Sequence, residues 1–395
     1  VLVIFPVLAV LAVLLTLWQW VAAWRFPLHR RVADKSFTPA VTILKPLKGL
    51  EHNTLDCLQS WLTQDYNAPV EVLFGVASPD DPACAVVRQL LQEHPKADAA
   101  LVVCPESLGV NGKVSSLIQM QRRAKHGVVI VSDADVLVPA DFLVNVVAPL
   151  REEKTGLVNC FYRLANPTTP AMRWEAVAIN ADFWSQVLQG ASLQAPDFAL
   201  GAVMVTRRTS LEKIGRFEAL ADYLADDYQL GNRIVRVAGQ RIELCPVVVD
   251  CVSHPMNWRE VWSHQLRWAR TIRACKPLPY AASILGNTML WPALWLAVQP
   301  SKWSLMFFAA ALLIRIVTAQ MLQRRLGPVP GQGFYWWLAP VKDALQFALW
   351  VCAFAGGSIV WRGQRYRLQR DGRLAAVAGN SRSMAADGPS QVSSR

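Results

Sequence analysis

Aspartates set beside apolar runs, in three places, are the first residues of this chain that could do chemistry. Asp80-Asp81 follows Val70–Val76, Asp133-Ala134-Asp135 follows Val128–Ser132, and Asp226-Asp227 precedes Tyr228-Gln229-Leu230-Gly231. Carboxylates at i and i+2, just off a buried strand, suit a hard divalent cation that already carries diphosphate oxygens. A lone Asp-x-Asp reads more simply as a solvated acidic turn, but the preceding Val-Val-Ile-Val weighs against that here. Asp226 and Asp227 also suit N-capping and the positive end of a helix dipole; one can cap while the other faces a cleft. Lys113 closes the turn Gly109-Val110-Asn111-Gly112-Lys113, and a lysine at a helix N-terminus makes an anion site. Taken alone it reads as a surface lysine. Residues 257–275 carry Trp258, Val261, Trp262, Leu266, Ala269 and Ile272 at helical spacing, with Arg259, Arg267, Arg270 and Arg273 largely off that face. This is a basic amphipathic helix suited to a membrane surface. Its His264-x-x-Arg267-Trp268 adds a charge clamp facing a cleft.

Such residues need a sheet behind them. Strands are predicted at Val41–Lys45, Val70–Val76, Ala100–Val103, Val128–Ser132, Gly156–Cys160, Ala202–Thr206 and Ile242–Asp250. Helices are predicted at Thr54–Leu62, Ala83–Glu93, Lys113–Lys125, Asp141–Leu150, Ala171–Leu188, Ser210–Ile214 and Tyr223–Ala238. Strands that alternate with helices imply βαβ units and a mostly parallel sheet, with ligands outside the carboxyl ends of its strands. No G-x-G-x-x-G or P-loop motif is present, so neither dinucleotide nor P-loop ATP binding is supported.

The composition adds a membrane. The 395 residues are 53% hydrophobic and 17% charged, against about 25% charged in ordinary globular domains. That excludes a disordered chain, a collagen-like chain and a small disulfide scaffold. Eight scattered cysteines form no C-x-x-C pair and read as thiols in a reducing compartment. Residues 1–24 carry no charge and are long enough to span a bilayer; Arg25, Arg30, Arg31 and Lys35 follow and predict a cytosolic domain after them. Further apolar runs cover 277–301, 303–323 and 344–361. Four full crossings would export the basic stretch Arg362–Arg373, so one C-terminal segment is expected to be re-entrant or interfacial, around Gly331–Pro340. The expected organisation is an anchor at 1–24, a cytosolic catalytic domain at 36–256, an interfacial helix at 257–275, transmembrane or re-entrant segments at 277–361 and a disordered tail at 374–395. The net charge of +11 flanks membrane segments and forms no single stripe, which argues for a bilayer and against nucleic acid.

Together these features resemble the ceramide glucosyltransferase family and its bacterial relatives, including hopanoid-associated glycosyltransferases. The resemblance rests on Thr42–Gly49 (TILKPLKG), Asp80-Asp81-Pro82-Ala83, Gly109–Lys113, Asp133-Ala134-Asp135, Ala225-Asp226-Asp227-Tyr228, Arg267-Trp268 and Trp361–Leu368 (WRGQRYRL). It implies an α/β glycosyltransferase-A fold, Rossmann-like and mostly parallel, with N-terminal and C-terminal transmembrane helices. It implies inverting transfer of a hexose from a UDP-sugar to the hydroxyl head of a membrane lipid, a ceramide or hopanoid polyol, giving a β-glycolipid. A processive polysaccharide synthase of the same superfamily is the alternative. By motif position, Asp227 is the general base. Lys45, Asp81, Lys113 and Asp133 bind the donor, and Asp135 holds Mg²⁺ or Mn²⁺. Arg267 neutralises the leaving UDP and Trp268 packs over the site. Gly201 shapes the acceptor side. His264 stands where the family usually has Gln or Arg.

Overall fold

The structure, a computed structural model, describes residues 3–51, 53–328, 335, 337–361 and 364–376. An apolar helix, α1 (Ile4–Arg25), leads into an eight-stranded sheet. β1 (Val41–Pro46), β2 (Val70–Val76), β3 (Asp98–Val103) and β4 (Val128–Ser132) lie parallel in the order β3-β2-β1-β4. β1, β2 and β4 are near-continuous apolar runs because both faces are covered, as parallel sheets require. One face packs on α2 (Thr54–Leu62) and α3 (Ala83–Glu93), the other on α4 (Gly112–Gln121).

The sheet then turns mixed. β5 (Val136–Leu137), β6 (Thr155–Leu164), β7 (Val203–Arg207) and β8 (Arg241–Cys251) extend it as β4-β7-β6-β8-β5. β7 is antiparallel to both neighbours, β6 and β8 are parallel, and β5 is antiparallel to β8. Between these strands lie α5 (Phe142–Val147), α6 (Pro170–Val177), α7 (Trp184–Ala191), α8 (Arg208–Lys213) and α9 (Asp226–Arg236). The helix expected over 171–188 is not continuous: a π-helical turn, Ala178–Phe183, separates α6 from α7. π-turns mark functional positions more often than chance.

α10 (Trp258–Cys275) opens on a capping box in which Asn257 and Glu260 bond each other's backbone N–H groups. α11 (Pro277–Ala282) and α12 (Leu290–Val298) follow, then α13 (Lys302–Leu326) and α14 (Leu338–Phe354). Among the described residues α1 and α13 are each long and apolar enough to cross a membrane. Pro277–Gly286 with Leu290–Val298, bent by 57°, makes a third candidate. The uncharged run 344–361 is not one helix: α14 ends at Phe354, and β9 (Ser358–Trp361) begins a three-stranded sheet with β10 (Gln364–Leu368) and β11 (Leu374–Ala376). β11 takes the first residues of the expected tail; residues from 377, and half of the expected re-entrant stretch Gly331–Pro340, lie outside the described residues. Both ends of α14 are tied to the helices before it. Arg173 on α6 stacks on Tyr335 just before it, and Arg270 on α10 bonds Ala355 and Ser358 just after it.

Candidate active site

The site forms where β1 and β4 end side by side. Lys45, fully buried at the end of β1, donates to Ser132 Oγ at 3.2 Å and to the Asp133 carbonyl at 2.5 Å, and its ammonium lies 5.1 Å from the Trp61 ring centroid. Burial lowers its pKa to about 8. The chain leaving β4 cannot simply turn back, because β5 pairs with Cys251 and Asp250 of β8 and the Asp135 carbonyl accepts from Val252. Asp133 to Asp135 are thereby stretched across the carboxyl ends of the sheet.

Lys113 joins two of the acidic motifs. Its ammonium lies 2.7 Å from Asp133 Oδ1 and 3.3 Å from Asp226 Oδ2. Burial opposes the charge, but Asp133 and then Asp226 outweigh it and raise its pKa. Asn111 explains the placement. Its side chain caps α4 by accepting from the Lys113 and Val114 N–H groups, and its amide donates to the Tyr223 carbonyl at 2.8 Å. The Gly109–Lys113 turn is thus tied to the strand of chain that leads into Asp226.

Neither Asp226 nor Asp227 caps α9; the N-cap is Ala225 and has no side-chain bond. Asp227 Oδ1 accepts from the Tyr228 N–H at 2.7 Å. Its other oxygen would stand 2.9 Å from a Cβ at residue 201, so Gly201 alone leaves room for it. Gly201-Ala202 in turn abuts Asp133, whose N–H donates to the Ala202 carbonyl at 3.2 Å. Burial, and then the Asp226 charge, push the Asp227 carboxyl up to about 7. Asp135 is raised to about 7 by burial and then by Asp133.

Asp81 sits at the edge of this group. Its carboxylate accepts from Gly49 N–H at 3.0 and 3.1 Å and from Ala83 N–H at 2.9 Å, tying the loop after β1 to the start of α3. The α10 residues form a second group. His264 Nδ1 lies 2.7 Å from Glu175 Oε1, and Gln265 donates to the same oxygen at 2.8 Å. Trp268 packs edge-on to His264, with centroids 4.8 Å apart, and against Phe183 at 5.9 Å. Arg267 is half-buried on the same helix. Tyr162 links the two groups. Its ring lies 5.6 Å from Phe183, and its phenol is raised well above the usual value by burial, then by Cys251 and by the Asp227, Asp133 and Glu175 carboxylates.

Glu175 was not legible as a site residue from the sequence; its signal is an acid inside the apolar stretch Ala171–Phe183. Arg270 and Arg273 face the protein more than a lipid surface: Arg270 donates to the Ala355 and Ser358 carbonyls and Arg273 to that of Gly356.

The site thus gathers aspartates and lysines at the carboxyl ends of the sheet's strands, where ligands of such sheets bind. Residues 2–374 match Glycosyl transferase family 21, and the chain belongs to that family. Ceramide glucosyltransferase 3 of Caenorhabditis elegans is 27% identical over 213 residues, 53% of this chain and 46% of its own. The ceramide glucosyltransferase of Komagataella phaffii is 33% identical over 102 residues, 25% of this chain and 20% of its own. The matches therefore span less than half of those relatives. A mannosyltransferase of Pyrobaculum calidifontis, solved with GDP-Man and Mn²⁺, shares the fold at a TM-score of 0.50 and 23% identity, over 88% of this chain and 99% of that one. The glycosyltransferase-A class expected from the motifs is the fold observed.

Proposed function

We propose that this glycosyltransferase moves a hexose from a UDP-sugar to the hydroxyl of a membrane lipid, with inversion, at the cytosolic face of the bilayer. The observation that carries the reading is the half-buried Asp227 carboxylate, lodged against Gly201 with its pKa pushed up to about 7. A base of that strength is matched to a neutral hydroxyl nucleophile. The acceptor O–H gives its proton to Asp227 as its oxygen bonds the sugar C1. The C1–O bond to the diphosphate breaks on the opposite face, and UDP departs with the electron pair. Relatives named as ceramide glucosyltransferases support a glucosyl-type sugar and a ceramide-like lipid.

The donor is assigned to Asp81 and Lys45 at the uracil, Asp133 at the ribose, and Lys113 at the diphosphate. Arg267 offsets the leaving charge, Trp268 covers the site and Gly201 borders the acceptor. The donor set fits Mg²⁺ or Mn²⁺: Asp133 and Asp135 offer carboxylates, and among the described residues no group of three or more acidic, His or Cys side chains gathers to enclose an ion alone. Such an ion keeps its other positions for diphosphate oxygens and water. When bound it supplies charge neutralisation for the departing diphosphate. Activity lost in EDTA and restored by Mg²⁺ or Mn²⁺ is expected; full activity in EDTA contradicts the metal.

Asp227→Asn tests the central step. It keeps size and hydrogen bonding but cannot take the proton, so kcat is expected to fall about 10²- to 10⁴-fold. Calorimetric UDP-sugar binding is expected to survive. Normal turnover by Asp227→Asn removes the base assignment.

A further inference from the structure

Four charged side chains that the catalytic assignment does not use meet among the apolar helices. Arg315, the break in the apolar run of α13, donates to both oxygens of Asp343 on α14, at 2.8 to 3.1 Å. It also donates to Asp182 in the π-turn, through Nη1 at 3.1 Å and Nη2 at 2.8 Å. Lys342 lies 2.5 Å from Asp182 Oδ2. All four side chains are at most 7% exposed. Two cations and two anions sum to zero. Arg315 lies eleven residues before Leu326, about 16 Å along a helix. Ionised groups at that depth are costly and mark function more often than scaffolding.

They border a cavity of about 150 Å³. Gln19, Gln265, Trp268, Tyr280, Asn287 and Gln346 contribute to its polar lining. The Tyr280 hydroxyl is buried and has no hydrogen-bond partner among the described residues, whereas buried hydroxyls are normally satisfied. Phe183 and Trp268 form one wall, and Tyr162 packs on Phe183 with ring centroids 5.6 Å apart. The cavity thus runs from the Gln265 and Trp268 side chains of α10 into the apolar helices. Its volume equals about five waters, room for a small diol or amide head and too little for a sugar nucleotide.

We propose that this chamber receives the head of the acceptor lipid, and that its balanced Arg315–Asp182–Asp343–Lys342 cluster selects an uncharged hydroxyl- or amide-bearing head over a phosphorylated one. The inference rests on the reading of the protein as a lipid glycosyltransferase. Both cations are already neutralised by the two carboxylates. A phosphate entering the chamber would shed its water and find no surplus charge, a penalty of the kind that makes unpaired buried ions rare. A neutral head finds donors and acceptors on every wall, Tyr280 among them.

The test uses the full chain in phosphatidylcholine nanodiscs, with UDP-glucose, UDP-galactose and UDP-N-acetylglucosamine as donors. The acceptors are C8-ceramide, dioctanoylglycerol and dioctanoyl phosphatidylglycerol, which carries a phosphate but keeps free hydroxyls. Transfer to at least one of the two neutral lipids is expected, and none to phosphatidylglycerol. Tyr280→Phe is expected to raise the neutral acceptor KM about three- to tenfold, the loss of one hydrogen bond, while the donor KM stays put. Asp343→Asn leaves the cluster with a surplus positive charge and is expected to make phosphatidylglycerol an inhibitor or an acceptor. Wild-type transfer to phosphatidylglycerol overturns the selection. Unchanged acceptor KM in Tyr280→Phe, with activity intact, overturns the chamber and leaves the transferase reading standing, whether or not Asp343→Asn folds. Absence of transfer to any lipid, with UDP-sugar binding retained, overturns the reading and this inference together.

Discussion

Asp227 lies with its carboxylate against Gly201 and beside Asp226, and burial has raised its pKa to about 7. The proposed base would work only when ionised, so kcat/KM is expected to fall as pH drops below about 7, with the slope of one proton. Asp226→Asn removes the neighbouring charge and is expected to move that limb to lower pH. A flat profile from pH 5 to 8 contradicts the assignment. The same shift has a stability sign. A free aspartate has a pKa of about 3.9, so the folded protein holds this proton more tightly than the unfolded chain. Stability linked to it is present below about pH 4 and is lost as pH rises to about 7. Asp227→Asn is therefore expected to melt no lower than wild type at neutral pH, which separates loss of the base from loss of the fold. Gly201 gives a steric counterpart. A methyl there would stand 2.9 Å from the Asp227 oxygen. Gly201→Ala is expected to fold but to push the carboxylate aside, lowering kcat about 10²-fold, as displacements of about 1 Å do. Wild-type kcat in Gly201→Ala removes the proposed crowding.

The elements that position these groups divide into those written locally and those set by distant pairing. β2, β4, α2 and α3 begin and end where their apolar periodicity does. β5 has two residues, too few to carry a period, yet its pairing with β8 stretches Asp133 to Asp135 across the strand ends. The apolar spacing of 171–188 is nearly helical throughout, so it gives no sign of the π-turn at Ala178–Phe183. The acidic motifs were legible as motifs; that Lys113 bridges two of them was not, because Asn111 builds that bridge across 112 residues. Of the C-terminal sheet, β9 was hidden in the apolar run 344–361, which begins as helix, while β10 lies in the basic stretch after it and β11 in the expected tail. This sheet packs on the approach to α9: Leu224 N–H donates to the Gly372 carbonyl at 3.1 Å, and Gln229 donates to that of Asp371 at 2.6 Å. Arg270 holds the turn leading to it. Arg270→Ala is expected to speed hydrogen exchange across 355–376 and around 222–229, and to weaken donor binding. Exchange unchanged in both segments contradicts the clamp.

At the scale of the molecule, α1 and α13 end together beside the catalytic domain. The Arg325 guanidinium donates to the carbonyls of Ala23, Trp24 and Phe26 and stacks on Trp24 at 4.6 Å. Val7, Val10 and Leu14 of α1 and Leu305, Met306 and Leu313 of α13 are exposed apolar side chains, as lipid-facing surfaces require. Both ends of α14 contact α6 or α10, so we propose that the basic stretch after it stays on the side of the sheet domain, as the positive-inside rule favours. The proposed transfer joins a water-soluble donor to a lipid, and a cleft set against apolar helices suits it. The most direct measurement is mass spectrometry of lipids from a glycolipid-free bacterial host supplied with ceramide or diacylglycerol and expressing the chain. A lipid heavier by one hexose or N-acetylhexosamine is predicted, absent when Asp227→Asn is expressed at the same level. No new glycolipid from the membrane-inserted wild type, or the same glycolipid from both, would contradict the account.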